Sequence, residues 1–235
     1  MKQPILSIGG LTPFTTLDFP GHLAAVIFCQ GCPWHCGYCH NPHLLDFQAK
    51  STLSWHKVER FLQSRQGLLD AVVFSGGEPI LQKGLLDAVK RVRDLGFKVA
   101  LHTAGINSNP IAKLLPYLDW IGFDIKAPFA RYAMITGVPD SGKQPEKSAQ
   151  LILESGIAYE FRTTVHPQLL NEKTLLELAM SLADLGVQRY VLQDCRPAHC
   201  LDASLQTFSR NQVLGNERLI QDILAIIPET IVRNR

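Results

Sequence analysis

Residues 23–42 read LAAVIFCQGCPWHCGYCHNP, and the junction inside this stretch decides the architecture. The first seven residues, LAAVIFC, are a short apolar run with Val26, Ile27 and Phe28 at its centre, and they read as a β-strand. The strand runs straight into a thiol-rich loop. Cys29, Cys32, Cys36 and Cys39 place four of the chain's six cysteines within eleven positions.

Working outward, five more runs of the same kind follow: 71–75 (AVVFS), 98–102 (KVALH), 120–125 (WIGFDI), 159–165 (YEFRTTV) and 189–193 (RYVLQ). Helical periodicity fills the gaps near 54–65, 83–95, 109–117, 144–155 and 172–185, with another helix near 216–227. Ser54 and Asn171 are expected as N-caps, Pro110 in a first helical position after Asn109, and Gly96, Gly156 and Gly186 just past helix ends. Alternating strand and helix implies parallel strands with right-handed crossovers. Six such units without a linker predict an α/β fold, a partial (β/α)6 barrel with outer helices. The expected organisation is one domain over residues 1–235, with a core of about 20–197 and a helical C-terminal tail of about 198–235.

Composition agrees. The chain has 235 residues, 46% of them hydrophobic and 19% charged, which excludes disorder. A net charge of +2 gives no pull toward nucleic acid or anionic membrane, and neither is expected as a partner. Apolar runs such as 24–29 fall far short of the roughly 20 residues a membrane span needs. The opening Met1-Lys2-Gln3-Pro4 has no basic-then-apolar export pattern, so a cytoplasmic protein is expected.

Without an export signal, a disulfide framework is not expected. Structural zinc favours two C-x2-C knuckles a dozen or more residues apart, whereas only Pro33-Trp34-His35 separate Cys32 from Cys36. The ferredoxin order C-x2-C-x2-C-x3-C-P does not match either. The sub-pattern Cys32-x3-Cys36-x2-Cys39 remains. Three thiolates can hold three corners of a [4Fe–4S] cube and leave the fourth iron open to a small molecule, following the logic of open catalytic metal sites. Cys29, Cys195 and Cys200 are expected as packed thiols. An auxiliary metal site at Cys195 and Cys200 would have only His199 as a near addition.

With Tyr38 supplying the aromatic of C-x3-C-x-aromatic-C, this pattern resembles the signature of the radical S-adenosylmethionine (SAM) superfamily. The loop after the second strand, Ser75-Gly76-Gly77-Glu78-Pro79, resembles that superfamily's Gly-Gly-Glu-Pro motif, and the resemblance implies that Gly76, Gly77 and Glu78 bind the SAM amino group. Chemistry in such folds collects at strand C-terminal ends. The third such loop, His102-Thr103-Ala104-Gly105, departs from the family's Asp-Thr-Asn-Gly, and with it goes the aspartate that helps some relatives hold a monovalent cation. Asp124 and Lys126 fall on one strand face, where opposite charges pair or bind a charged ligand. The Asp-x-Lys of glycyl-radical-enzyme activases implies a place for both near the SAM carboxylate. Arg162, with Glu160 and Thr164 on its face, is either a further SAM contact or part of a structural pair. The Tyr38 region is expected near the adenine.

The segments Asp18-Phe19-Pro20-Gly21 and Cys39-His40-Asn41-Pro42, with Arg131-Tyr132, Thr136-Gly137 and 160–165, resemble activating proteins of anaerobic ribonucleoside-triphosphate reductase, over about residues 5–197. That resemblance implies one [4Fe–4S] cluster on Cys32, Cys36 and Cys39, reductive cleavage of SAM, and transfer of the radical to a glycine of a glycyl radical enzyme. It also implies a low-potential electron donor such as flavodoxin or ferredoxin. The alternatives are an activase of a formate-lyase type enzyme and a small-molecule radical SAM enzyme; a non-enzymatic iron–sulfur or zinc protein conflicts with the Gly-Gly-Glu-Pro motif.

Overall fold

In the computed structural model, which describes residues 6–51, 53–207 and 211–233, the alternation of strands and helices builds a single eight-stranded sheet. Residues 1–4, read above for export, lie outside that range. The elements run β1 (Ile8–Thr15), β2 (Ala24–Cys29), α1 (Trp55–Gln63), β3 (Ala71–Gly76), α2 (Leu85–Asp94), β4 (Lys98–Thr103) and α3 (Ser108–Leu114). They continue with β5 (Trp120–Asp124), the short α4 (Ala133–Thr136), α5 (Lys143–Glu154), β6 (Ala158–Val165), α6 (Glu172–Asp184), β7 (Arg189–Asp194), α7 (Glu217–Ile226) and β8 (Glu229–Arg233). The strands lie side by side in sequence order; β1 is antiparallel to β2 and every later pairing is parallel. Among the described residues no pairing joins β8 back to β1, so the barrel is partial.

All six expected strands are present, and two more frame them. β1 contains Gly9, Gly10 and Pro13, which read locally as turn residues; an edge strand tolerates them because one side of its backbone needs no partner. β8 follows α7 within the stretch expected to be a helical tail and extends the sheet beside β7. The tail is therefore part strand, a correction that short-range periodicity could not supply.

Alternation along the strands separates two apolar layers. Ala25, Ile27, Val72, Phe74, Val99, Leu101, Ile121 and Phe123 belong to the large layer shared with the helices. α6, for example, contributes Leu175, Leu178, Ala179 and Leu182, the i, i+3, i+4, i+7 stripe of an amphipathic helix. Each fully buried leucine there contributes roughly 1.5–3 kcal/mol. The opposite face carries a smaller cluster of Phe19, Ala24, Val26, Ala71, Val73, Ala100 and Trp120. Phe19 comes from the Asp-Phe-Pro-Gly segment and stacks on Trp120 at 5.6 Å, filling the barrel at the strands' N-terminal ends. The C-terminal ends are left for polar side chains.

Helix ends mostly follow local rules. Asn171 accepts the Thr174 N–H, and Gly96, Gly156 and Gly186 take left-handed φ values of 90°, 69° and 91°. Ser54 sits at the N-cap of α1 without a side-chain bond. α3 begins earlier than expected: Asn107 caps it, accepting the Asn109 N–H, so Pro110 is the third helical residue rather than the first. No helix among the described residues is long and apolar enough to cross a membrane.

Candidate active site

The loop after β2 is clamped at its neck. The buried Gln30 side chain donates from Nε2 to the carbonyls of His43 (3.0 Å) and Asp46 (2.9 Å), and the Gln30 backbone carbonyl accepts from Gln82 Nε2 (2.6 Å). The Gly31 N–H donates to Leu44 O (2.7 Å) and the Cys32 N–H to Leu45 O (3.0 Å). Inside this neck a bond from the Cys39 N–H to Cys36 O (2.8 Å) closes a turn. Cys32, Cys36, Tyr38 and Cys39 then line one cavity together with Gly76, Gly77, Glu78, Asp124 and Lys126.

The two glycines have a demanding steric setting. Gly76 has φ 112°, and a Cβ there would fall 2.5 Å from the backbone nitrogen and oxygen of Cys29; a Cβ on Gly77 would fall 2.4 Å from Gly31 O. The backbone N–H groups of Gly77 and Glu78 donate to Cys29 O (2.8 Å) and Gly31 O (2.9 Å). The close approach that these glycines permit is made, in the first place, to the cysteine loop's own backbone.

Charges of both signs line the cavity. The Glu78 carboxylate is buried and accepts from Thr103 Oγ1 (2.6 Å) and the Ala104 N–H (2.9 Å). Burial pushes Glu78 up to about 7, against the downward pull of those hydrogen bonds. Lys126 Nζ lies 3.7 Å from Asp124 Oδ2 and 5.7 Å from the centre of the Tyr38 ring. Arg162 Nε donates to Asp124 Oδ1 at 3.0 Å. Burial would raise Asp124, but the Arg162 and Lys126 charges outweigh it and hold the carboxyl below its usual range. Burial, reinforced by Arg162, pushes His102 down to about 3, so its ring is neutral. His102 Nε2 sits 2.7 Å from the Asp18 carbonyl, which can only accept, so this nitrogen carries the proton.

Arg162 is not among the residues that line the cavity of the thiols. It lines an adjoining opening with Thr164, Gln193 and Arg233, and its Nε bond pairs it with Asp124. Two partners were missed in the sequence. Arg233 on β8 makes a two-pronged pair with the buried Glu160 (2.7 and 2.6 Å), and Thr103 holds Glu78. Cys29 is fully buried in the large apolar layer, where burial pushes its thiol up to about 12. Cys195 and Cys200 are also buried, and His40 rather than His199 lies beside their sulfurs.

The donor set fits an iron–sulfur cluster with a small zwitterion beside it. Three thiols from one clamped loop meet an anion, Glu78, and a cation, Lys126, in one cavity. Tyr38, on the same wall, buries a hydroxyl with no hydrogen-bond partner. Burial pushes the Cys32 thiol up to about 12 and Cys36 upward as well, so metal binding must displace their protons.

Comparison with known proteins bears on this site. Over 202 residues the chain is 28% identical to a protein of Methanocaldococcus jannaschii provisionally named a glycyl-radical enzyme activating enzyme, covering 83% of this chain and 82% of that one. Over 115 residues it is 33% identical to the pyruvate formate-lyase-activating enzyme of Clostridium pasteurianum, covering 47% of this chain and 48% of the relative. The fold resembles Streptococcus suis SuiB bound to S-adenosylmethionine (TM-score 0.64, 16% identity, 88% of this chain and 48% of SuiB). It also resembles Escherichia coli QueE (TM-score 0.59, 19% identity, 98% of this chain and 93% of QueE). The radical SAM superfamily profile matches residues 26–182, a span that takes in the cysteine loop and the Gly-Gly-Glu-Pro turn and ends within α6. The chain belongs to the radical SAM superfamily, whose members bind a [4Fe–4S] cluster and SAM.

Proposed function

We propose that this chain is an activating enzyme for a glycyl radical enzyme, most specifically an anaerobic ribonucleoside-triphosphate reductase. The observation that carries the activase reading is the similarity, over more than four fifths of both chains, to the Methanocaldococcus jannaschii protein with that designation. The Asp18–Gly21 and Cys39–Pro42 landmarks and the 160–165 segment support the reductase as partner. Cys32, Cys36 and Cys39 would hold the cluster, and Glu78 with the Gly76-Gly77 backbone would take the amino group of SAM. Lys126, kept in place by Asp124, would take its carboxylate, and Arg162 orients Asp124. Tyr38 would flank the adenine. When bound, the cluster and SAM supply one-electron cleavage of the sulfonium and abstraction of a hydrogen atom.

The chain's own residues would hold the ligand's two charged ends within one cavity and keep water from the reacting centre. Glycine suits the partner's role because its Cα has no side chain to block approach. A low-potential donor of the flavodoxin or ferredoxin class completes the system.

The test is anaerobic incubation of the cluster-loaded protein with SAM, reductant and a purified anaerobic ribonucleotide reductase. The expected result is a glycyl doublet in the electron paramagnetic resonance spectrum. A doublet on a formate-lyase type enzyme and none on the reductase would transfer the activity to that partner. SAM cleavage without a protein radical on either would overturn the activase reading.

A further inference from the structure

We propose that His40, Cys195 and Cys200 form a second metal site, taking one zinc-class divalent cation that straps the cysteine loop to the end of β7. The three ligand atoms come from two separate stretches of chain, and all lie within 4.8 Å of one another. His40 Nε2 is 3.5 Å from Cys195 Sγ, and Cys195 Sγ is 3.6 Å from Cys200 Sγ. A tetrahedral zinc ion with Zn–S of about 2.3 Å and Zn–N of about 2.0–2.1 Å sets S···S near about 3.8 Å and N···S near about 3.6 Å. These two separations differ from the ideal ones by only a few tenths of an ångström, and the third, between His40 and Cys200, is within 4.8 Å.

Three further features suit a metal. The Arg196 backbone N–H lies 3.3 Å from His40 Nε2 and donates to it, so this nitrogen is the unprotonated one, and a metal would take its single lone pair in place of that N–H. Two thiolates, a neutral imidazole and a divalent cation sum to zero charge, which a buried site requires; Cys195 is fully buried and Cys200 is 3% exposed. Two sulfurs and one imidazole nitrogen are a donor set that zinc prefers over magnesium or calcium. A disulfide between Cys195 and Cys200 would use only two of the three groups, and it is disfavoured in the reducing setting that a radical SAM cluster needs. Three protein ligands leave a fourth position for water.

The consequence is mechanical. His40 directly follows Cys39, and the segment after Cys200 already docks on the loop through a bond from the Asp202 N–H to Gly37 O (2.9 Å). A metal on His40 would fix the outgoing end of the cysteine loop as Gln30 fixes its neck.

The test uses the full chain with its cluster, prepared anaerobically from zinc-supplemented cells. Elemental analysis should find about one zinc per chain in addition to the cluster iron, and zinc-edge X-ray absorption should show two sulfurs and one imidazole in its first shell. The paired variant Cys195→Ser/Cys200→Ser should lose zinc by about tenfold or more while keeping cluster iron, and His40→Ala should remove the imidazole from the zinc shell. If the variants fail to fold, the zinc-edge spectrum of the unaltered protein still decides. Zinc below about a tenth of an ion per chain, a first shell of other composition, or a Cys195–Cys200 disulfide in the peptide map would overturn the proposal.

Discussion

Replacing Glu78 by glutamine separates what the carboxylate costs the fold from what it gives the ligand. Glu78 is buried, and burial carries it from an ordinary 4.5 to about 7. At pH 8 that shift amounts to about 3 kcal/mol against the ionised form. Glutamine is neutral throughout, so it escapes this cost. It keeps one oxygen for Thr103 or Ala104 and loses the second acceptor, a loss of about 1 kcal/mol. The SAM-free variant should therefore be about 1–2 kcal/mol more stable at pH 8 and melt roughly 2–8 °C higher for a chain of this size.

The effect has a definite pH dependence. Because the folded-state value of Glu78 lies above the unfolded one, the folded protein binds more protons between about 4.5 and 7, and wild-type stability falls as pH rises through that window. The advantage of the variant should accordingly shrink to near zero by about pH 5.5. SAM affinity should move the other way, because the amino group loses a charged acceptor worth about 1.5–3 kcal/mol, or roughly 10- to 150-fold. Anaerobic thermal melts of the cluster-loaded protein at pH 5.5 and 8, with calorimetric titration of SAM at pH 8, measure both. A variant that melts lower at pH 8, or a gap that ignores pH, would refute the burial argument; unchanged affinity would refute the contact.

Other expectations follow from the same geometry. Cys36→Ala should leave the protein unable to retain a stable cluster and reduce SAM cleavage to background, measured as 5′-deoxyadenosine released; full activity would sink the assignment of the ligands. Gly77→Ala drives a Cβ against Gly31 O, backbone on backbone, so the neck of the cysteine loop must shift. That variant should lose about 2 kcal/mol or more of stability and a large part of its iron after reconstitution, and native-like values of both would be contrary evidence. Arg162→Met strips Asp124 of its 3.0 Å partner and leaves only Lys126 at 3.7 Å. A loss of about 2 kcal/mol is expected, below the usual cost of breaking a buried pair because Asp124 stays about one-third exposed. Adding Asp124→Asn should recover part of it, and a melt unchanged by the single substitution would rule the pair out as a stabilising element.

The site was legible in the sequence to the extent that its parts are local. Cys32, Cys36 and Cys39 lie in one loop and are marked by their spacing after a predicted strand, while the Gly76–Glu78 turn is marked by its resemblance to the superfamily's Gly-Gly-Glu-Pro motif. Asp124 and Lys126 were found by the two-residue alternation of a strand. The partner of Arg162 was not decidable, because Asp124 and a bound carboxylate offer a guanidinium the same chemistry. Gln30 was invisible: a glutamine after a strand carries no signal until the carbonyls of His43 and Asp46 are folded over it.

Six parallel strand–helix units, the cysteine loop at the end of the first of them, and the acidic and basic groups at the later strand ends are readable from the chain's local pattern. These follow from hydrophobic period and from residues a few positions apart. The two edge strands emerge only on folding, since β1 and β8 owe their form to the neighbours they pair with rather than to a strong pattern of their own. Folding alone tied Arg233 to Glu160 and brought His40 to Cys195, 155 positions away. Such contacts are set by how far the sheet curls before it stops, a property of all eight strands together that no local stretch of chain encodes.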